Sequence, residues 1–282
     1  MGKSFENPGS IATRPGVESS PQRSEPVMEF ARRKPLPGQD ASSLDNAAQC
    51  ELTRLQFANC TQIELPRNAD EPLVTVAGNR STVVEAYKSL RTRLLKIQAS
   101  RGIRSVVVTS VGRSEGKTLT AFNLAYCCAQ VENLPVLLID GDLRSRSLTK
   151  LLGDSSQVGL AELMSGTASY EDAIVRTDVP NLYVMGAGTN DVLSTELFSG
   201  ERWNHVLGWS RDHFRLVLVD SVSMGALADF ELVAAECEGI LVVVRARSAA
   251  REELKTAIEQ LDSDKLIGVV WNAGHSKNAT PY

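Results

Sequence analysis

The sequence predicts an α/β fold built on a doubly wound, mostly parallel sheet. Three observations carry this. From Leu73 onward, short apolar runs alternate with helical segments. The runs are brief and rich in Val, Ile and Leu, as strands buried on both faces are. Several are followed at once by a glycine-containing turn or a carboxylate, at the C-terminal strand ends where ligands bind in such sheets. The alternation implies right-handed crossovers between parallel strands.

Taken in order, residues 1–72 come first and hold eight of the eleven prolines, among Ser, Arg, Glu and Gln and few aromatics. Such a stretch buries too little apolar surface to offset the entropy of ordering it. It is expected to be mostly disordered, with a short helix around Leu44 to Phe57. The cluster Arg32, Arg33 and Lys34 reads as solvated linker. Residues 73–275 form the predicted nucleotide-binding domain and 276–282 a short tail. Thr82 with Glu85 makes a capping box, followed by Val84, Tyr87, Leu94 and Ile97 at roughly helical spacing. The predicted strands are Ser105 to Thr109, Pro135 to Ile139, Leu182 to Met185, Leu216 to Val219, Ile240 to Val244 and Ile267 to Val270. The stretch ERWNHVLGWSRDHF reads as an amphipathic helix in which Trp203 and Trp209 pack into the core.

Composition bounds the function. The 282 residues hold 30 Lys and Arg against 34 Asp and Glu, a net charge of −4, which does not suit a general nucleic-acid binder. No run of about 18 apolar residues occurs, so no spanning helix is predicted. MGKSFENPGS lacks the apolar core of a secretory signal, and Glu6 breaks the myristoylation pattern. Five cysteines without CxxC spacing argue against a disulfide framework and a zinc site. The chain reads as cytoplasmic.

The chemistry-bearing motif follows the first run: Thr109-Ser110-Val111-Gly112-Arg113-Ser114-Glu115-Gly116-Lys117-Thr118, then the helical LTAFNLAYCCAQ. Strand, loop and helix in this order is the context of a phosphate-binding loop. Its amides and the helix N-terminus face the anion, Lys117 neutralises the outer phosphates, and the Thr118 hydroxyl holds Mg²⁺. The candidate nucleotide-binding residues are Ser114, Glu115, Gly116, Lys117, Thr118 and Leu119. The first glycine of the strict pattern is missing, because Val111 stands six positions before Lys117. VLLIDGDLR puts Asp140 and Asp142 beyond the second strand, with Gly141 letting the backbone turn. Asp220 ends the strand LVLVD, where a magnesium-orienting aspartate is expected. Lys117, Asp140, Asp142 and Asp220 are thus the candidate catalytic set, and Thr118 with the three aspartates the candidate Mg²⁺ ligands, some through water.

At these residues the chain resembles the bacterial tyrosine kinases of polysaccharide export, the CpsD/CapB group within the MinD/ParA-like class of P-loop ATPases. The resemblance spans about residues 73 to 275. EAYKSLRTRL looks like that family's helix before the catalytic core, SEGKT its Walker A loop, VLLIDGDLR its second aspartate motif and LVLVD its Walker B. EGILVVVRARSAAREEL and LIGVVWNAG look like its last strand, helix and strand. The resemblance implies a Mg·ATP-dependent kinase that phosphorylates tyrosines near the C-terminus of a neighbouring subunit. It also implies a homo-oligomer, and as activating partner the cytoplasmic tail of a membrane polysaccharide co-polymerase-like protein, which would recruit the chain to the inner face of the membrane. Asn272 would lie against the adenine, Asp142 would accept the tyrosine proton, and Glu85, Lys88 and Arg91 would make the subunit contact.

Four departures accompany the match. Ser114 and Arg113 replace a usual glycine and proline. Ser221-Val222-Ser223 replaces Thr-Pro-Pro after Asp220. Lys88 replaces an arginine and loses its bidentate fork. The tyrosine cluster is missing, leaving Tyr282 as the only candidate phosphoacceptor in the tail. Two other functions therefore stand beside the autokinase: a nucleotide-dependent regulatory subunit that transfers phosphate poorly, and a MinD/ParA-like ATPase. The latter group's second signature lysine is absent, since Gly112 occupies that position.

Overall fold

The computed structural model describes residues 25–29, 43–67, 73–74, 81–153, 158–189, 194–225, 228–246 and 251–274. The chain opens with β1 (Glu25–Glu29), α1 (Ser43–Gln56), β2 (Gln62–Ile63), α2 (Thr82–Arg101) and β3 (Ser105–Ser110). There follow α3 (Lys117–Ala129), β4 (Val136–Asp140), α4 (Ser147–Leu151), α5 (Leu160–Ser165), α6 (Tyr170–Ala173), β5 (Ile174–Thr177) and β6 (Leu182–Met185). The last elements are α7 (Ser194–Phe198), α8 (Glu201–His213), β7 (Leu216–Asp220), α9 (Ala228–Glu236), β8 (Gly239–Arg245), α10 (Arg251–Glu259) and β9 (Leu266–Gly274).

The described strands form one nine-stranded sheet in the order β1-β9-β8-β3-β7-β4-β6-β5-β2. Every neighbouring pair from β9 through to β6 is parallel. The antiparallel pairs, β1 with β9 and β5 with β6, lie toward the two edges. Alternate residues feed opposite layers, as the pleat requires. Val106 and Val108 pack with Phe122 and Leu124 of α3 on one face, and Val107 packs with Leu137, Ile139 and Trp203 on the other. Burial on both faces explains why the strands read as unbroken apolar runs. All six predicted strands are present, each within a residue or a few of its expected ends.

Two expectations change. The cap of α2 is Ser81, one residue before the predicted Thr82: its extended backbone (φ −74, ψ 143) lets its hydroxyl accept from the Val84 amide. The chain before Leu73 also contributes to the folded unit. The predicted helix is there as α1, and Phe57 just after it is fully buried, its ring 5.6 Å from those of both Tyr183 and Phe214. β2 adds to β5, and β1 adds to β9. Cys50, Thr53 and Phe57 supply this contact, too few anchors to outweigh a Pro-rich composition when the sequence is read alone.

Candidate nucleotide site

The site is assembled by strand order. β7 lies between β3 and β4, with Val108 and Asp140 both registered against Asp220. The loop after β3, the turn after β4 and the end of β7 therefore meet at one end of the sheet.

The loop from Val111 to Gly116 turns into α3, whose first residue is Lys117. Gly116 has φ 90, and a Cβ there would collide with the Asn272 amide. Ser114 also has positive φ, 60, so the serine adopts a backbone that glycine takes without strain. Inside the loop the buried Glu115 carboxylate accepts from the Gly112 amide at 3.0 Å.

Lys117 Nζ is 3.3 Å from Asp142 Oδ2, 3.6 Å from Asp220 Oδ1 and 3.2 Å from Thr118 Oγ1. Burial works against its charge, but Asp220 and then Asp142 outweigh that and raise its pKa, so it stays an ammonium. Asp220 is fully buried, and among the described residues neither of its oxygens accepts a hydrogen bond, Oδ1 having only the ion pair with Lys117. Burial pushes its carboxyl above the usual carboxylate range, with Lys117 pulling the other way. Asp142 Oδ1 accepts from the Ser145 amide at 3.0 Å, leaving Oδ2 to Lys117.

Asp140 stands apart. Its Oδ2 accepts from the Thr149 amide at 2.8 Å and hydroxyl at 2.7 Å, and Oδ1 accepts from the Asp142 amide at 3.2 Å. Burial raises its pKa while Thr149 opposes the rise. Its carboxylate ties the strand end to α4 and does not reach Lys117. Gly141 allows the turn between the two aspartates: its amide donates to Asp220 O at 2.7 Å, and a Cβ would stand 3.0 Å from that oxygen.

Asn272 enters from β9. Its Nδ2 donates to Glu115 O at 2.9 Å and its Oδ1 accepts from Ala273 N at 2.9 Å, so its amide holds the phosphate loop. Leu119 is half-buried in the first turn of α3, packed against the core. Glu85 and Lys88 pair at 2.8 Å on the exposed face of α2, whereas Arg91 Nη1 donates inward to Cys127 O at 3.1 Å. Tyr282 lies outside the described residues. Among the described residues no group of three or more His, Cys, Asp or Glu side chains could hold a metal ion by itself.

Three contacts escaped the sequence reading. Arg245 Nη1, at the end of β8, donates to Ser114 O at 3.3 Å. Buried Asp229 accepts from Ser194 Oγ at 2.6 Å, Thr195 Oγ1 at 2.7 Å and Arg144 Nε at 3.0 Å, anchoring the residue two positions after Asp142. Thr149 orients Asp140. None of these partners is spaced in a way that marks it; only the proximity of Arg144 to Asp142 was a signal.

No family model matches the chain. The Streptococcus pneumoniae protein named Tyrosine-protein kinase CpsD is 30% identical over 191 residues, 67% of this chain and 83% of that protein. The kinase domain of Escherichia coli tyrosine kinase ETK shares the fold, with a TM-score of 0.68 at 24% identity over 81% of this chain and 96% of that one. The cell division ATPase MinD of Pyrococcus furiosus superposes with a TM-score of 0.50 at 25% identity, over 59% of this chain and 69% of that one. With a phosphate loop, paired strand-end carboxylates and a relative of this extent, the chain belongs to the bacterial tyrosine-protein kinase family of CpsD, on a MinD-type P-loop fold.

Proposed function

We propose that the protein is a Mg·ATP-dependent tyrosine autokinase of exopolysaccharide or capsule export. The observation that carries the reading is the half-buried Lys117 ammonium flanked by Asp142 and Asp220 at the mouth of the phosphate loop. The buried Asp220 oxygens, which accept no hydrogen bond among the described residues, supply donors that a hard cation fits, directly or through water. Thr118, Asp142 and Asp220 would hold Mg²⁺, which neutralises phosphate charge when bound. The loop amides and the N-terminus of α3 bind the phosphates, and Lys117 leaves its carboxylates to meet the transferred group. Asp142 accepts the proton of the incoming tyrosine hydroxyl, which must lie in line with the bond that breaks. Asp140 acts at one remove by setting the Asp142 backbone. Asn272 holds the loop in the state described, and turning its amide toward an adenine would release Glu115 O.

Tyr282 is proposed as the phosphoacceptor, reached between adjacent subunits, with Glu85, Lys88 and Arg91 at their contact. The activating partner is the cytoplasmic tail of a membrane co-polymerase-like protein, and no helix among the described residues is long and apolar enough to cross a membrane. The regulatory reading is favoured by one feature, Ser114 at φ 60 where the loop approaches phosphate. Incubation with Mg·ATP followed by mass spectrometry separates the two. Phosphotyrosine at Tyr282 that disappears in Tyr282→Phe supports the autokinase. Nucleotide binding without phosphotyrosine, even with the membrane partner present, makes the protein a regulatory subunit.

A further inference from the structure

Both ends of the turn that carries Asp142 are tied to the chain that leaves β6. Strand pairing puts that chain there: β6 lies beside β4, with Leu138 registered against Val184 and Ile139 against Met185. At the near end, the Thr149 hydroxyl donates to Asp140 Oδ2 at 2.7 Å and accepts from the Ala187 amide at 2.9 Å. At the far end, Arg144 Nε donates to Ser194 Oγ at 3.1 Å and to Asp229 Oδ2 at 3.0 Å. α5 holds the near end from behind. Its Leu160 amide donates to Gly186 O at 2.8 Å, and its Ala161 amide to Ala187 O at 3.1 Å.

The near end is buried throughout: Asp140 is 0% exposed, Ala187 1% and Thr149 4%. A threonine hydroxyl has one proton to give. Here it goes to Asp140, while a lone pair of the same oxygen takes the Ala187 amide. Asp140 passes the constraint on, since its Oδ1 accepts from the Asp142 amide at 3.2 Å. Asp142 Oδ2 in turn stands 3.3 Å from Lys117 Nζ. Thr149, Asp140 and Asp142 thus connect Ala187 to Lys117 in series. Without the hydroxyl, Asp140 Oδ2 keeps only the Thr149 amide as donor. The buried Ala187 amide loses its side-chain acceptor, which is unfavourable away from water.

We propose that Thr149 is a positioning residue for phosphoryl transfer: its hydroxyl fixes Asp140 against Ala187, and Asp140 sets the backbone that presents Asp142 to Lys117. The proposal rests on the reading of Lys117 and Asp142 as the place of transfer. The partners of the hydroxyl are Asp140 and Ala187, so Thr149 acts through Asp140 and not on nucleotide. A shift of the turn by about 1 Å is enough to matter, since misplacement of that size can slow a reaction about a hundredfold. Nucleotide binding depends on the loop amides and Lys117, which the turn does not carry. Binding is therefore spared when the turn moves.

The test compares Thr149→Val, Thr149→Ala and Thr149→Ser in the full chain, by steady-state ADP formation from Mg·ATP and by calorimetric titration with Mg·ADP. ADP is read because it accompanies transfer to tyrosine or to water. A failed kinase reading, shown by absent phosphotyrosine, therefore leaves this test intact. Valine keeps the shape and removes the hydroxyl, whereas serine keeps the hydroxyl and removes the methyl. Alanine lacks the hydroxyl without setting a methyl against the Ala187 amide, and serves if the valine variant does not fold. Thr149→Val and Thr149→Ala are expected to lower kcat roughly tenfold or more, with KM and Mg·ADP affinity changed less than about threefold. Thr149→Ser is expected to restore the rate. In an Asp140→Asn background the effect of Thr149→Val should vanish, because residues acting in series are not additive. Unaltered rates in Thr149→Val and Thr149→Ala, or a serine variant as slow as they are, overturn the proposal. So do equal losses of rate and affinity, a full Thr149→Val effect in the Asp140→Asn background, or a parent chain that forms no ADP.

Discussion

Asn272 Nδ2 and the Glu115 carbonyl are joined at 2.9 Å, so a residue at the end of β9 closes the phosphate loop 157 positions earlier in the chain. Gly116, the next residue, has φ 90 and faces the same amide. Gly116→Ala is therefore expected to lower stability by about 1–3 kcal/mol, from positive φ and the Asn272 collision together. Nucleotide affinity should fall as well. Denaturant unfolding and calorimetry check this, and a variant that unfolds and binds as the parent does would refute the contact.

The buried carboxylates make stability depend on pH. Asp140 and Asp220 have raised pKa values in the folded chain, so the folded state holds more protons than the unfolded state above the ordinary value of 3.8. Their contribution to stability must then decline as pH rises above that value, until both are ionised in the fold. A bound cation favours the ionised forms and reverses the trend. Urea midpoints measured at about pH 5 and about pH 8, with and without Mg·nucleotide, should show the ligand stabilising more at the higher pH.

Asp229 is expected to act by positioning. Burial opposes its charge, but the Ser194 and Thr195 hydroxyls and Arg144 hold its pKa below the usual value. Asp229→Ala removes the acceptor shared by all three and frees the turn that carries Asp142. A stability loss of about 1–3 kcal/mol is expected. Turnover should fall roughly tenfold or more with little change in nucleotide affinity. Equal losses in both would mean that Asp229 serves only folding.

The segment before Leu73 can be tested at Phe57. Its ring lies 6.0 Å from that of Trp209 as well as beside Tyr183 and Phe214. Phe57→Ala should cost about 3–5 kcal/mol, read as a lower melting temperature. A shift near zero would show that α1 docks without contributing.

The sequence by itself determined the strands, the loop and its carboxylates, because those signals are local. A strand buried on both faces is an apolar run wherever it occurs, and SEGKT between a strand and a helix stands in the context of a phosphate-binding loop. It also sufficed for the fold class. Only the tertiary structure decided which carboxylates do what. Asp140 and Asp142 are two residues apart and identical in type, yet one is bound by Thr149 and the other meets Lys117. Sheet order set Asp220 on the strand between the phosphate loop's β3 and the β4 that carries Asp140, and order is a property of packing that no spacing records. The same holds for the folded role of Phe57 and the grip of Asn272 on Glu115. Each depends on groups that are dozens of residues or more apart, whose meeting is set by burial of the sheet's two faces.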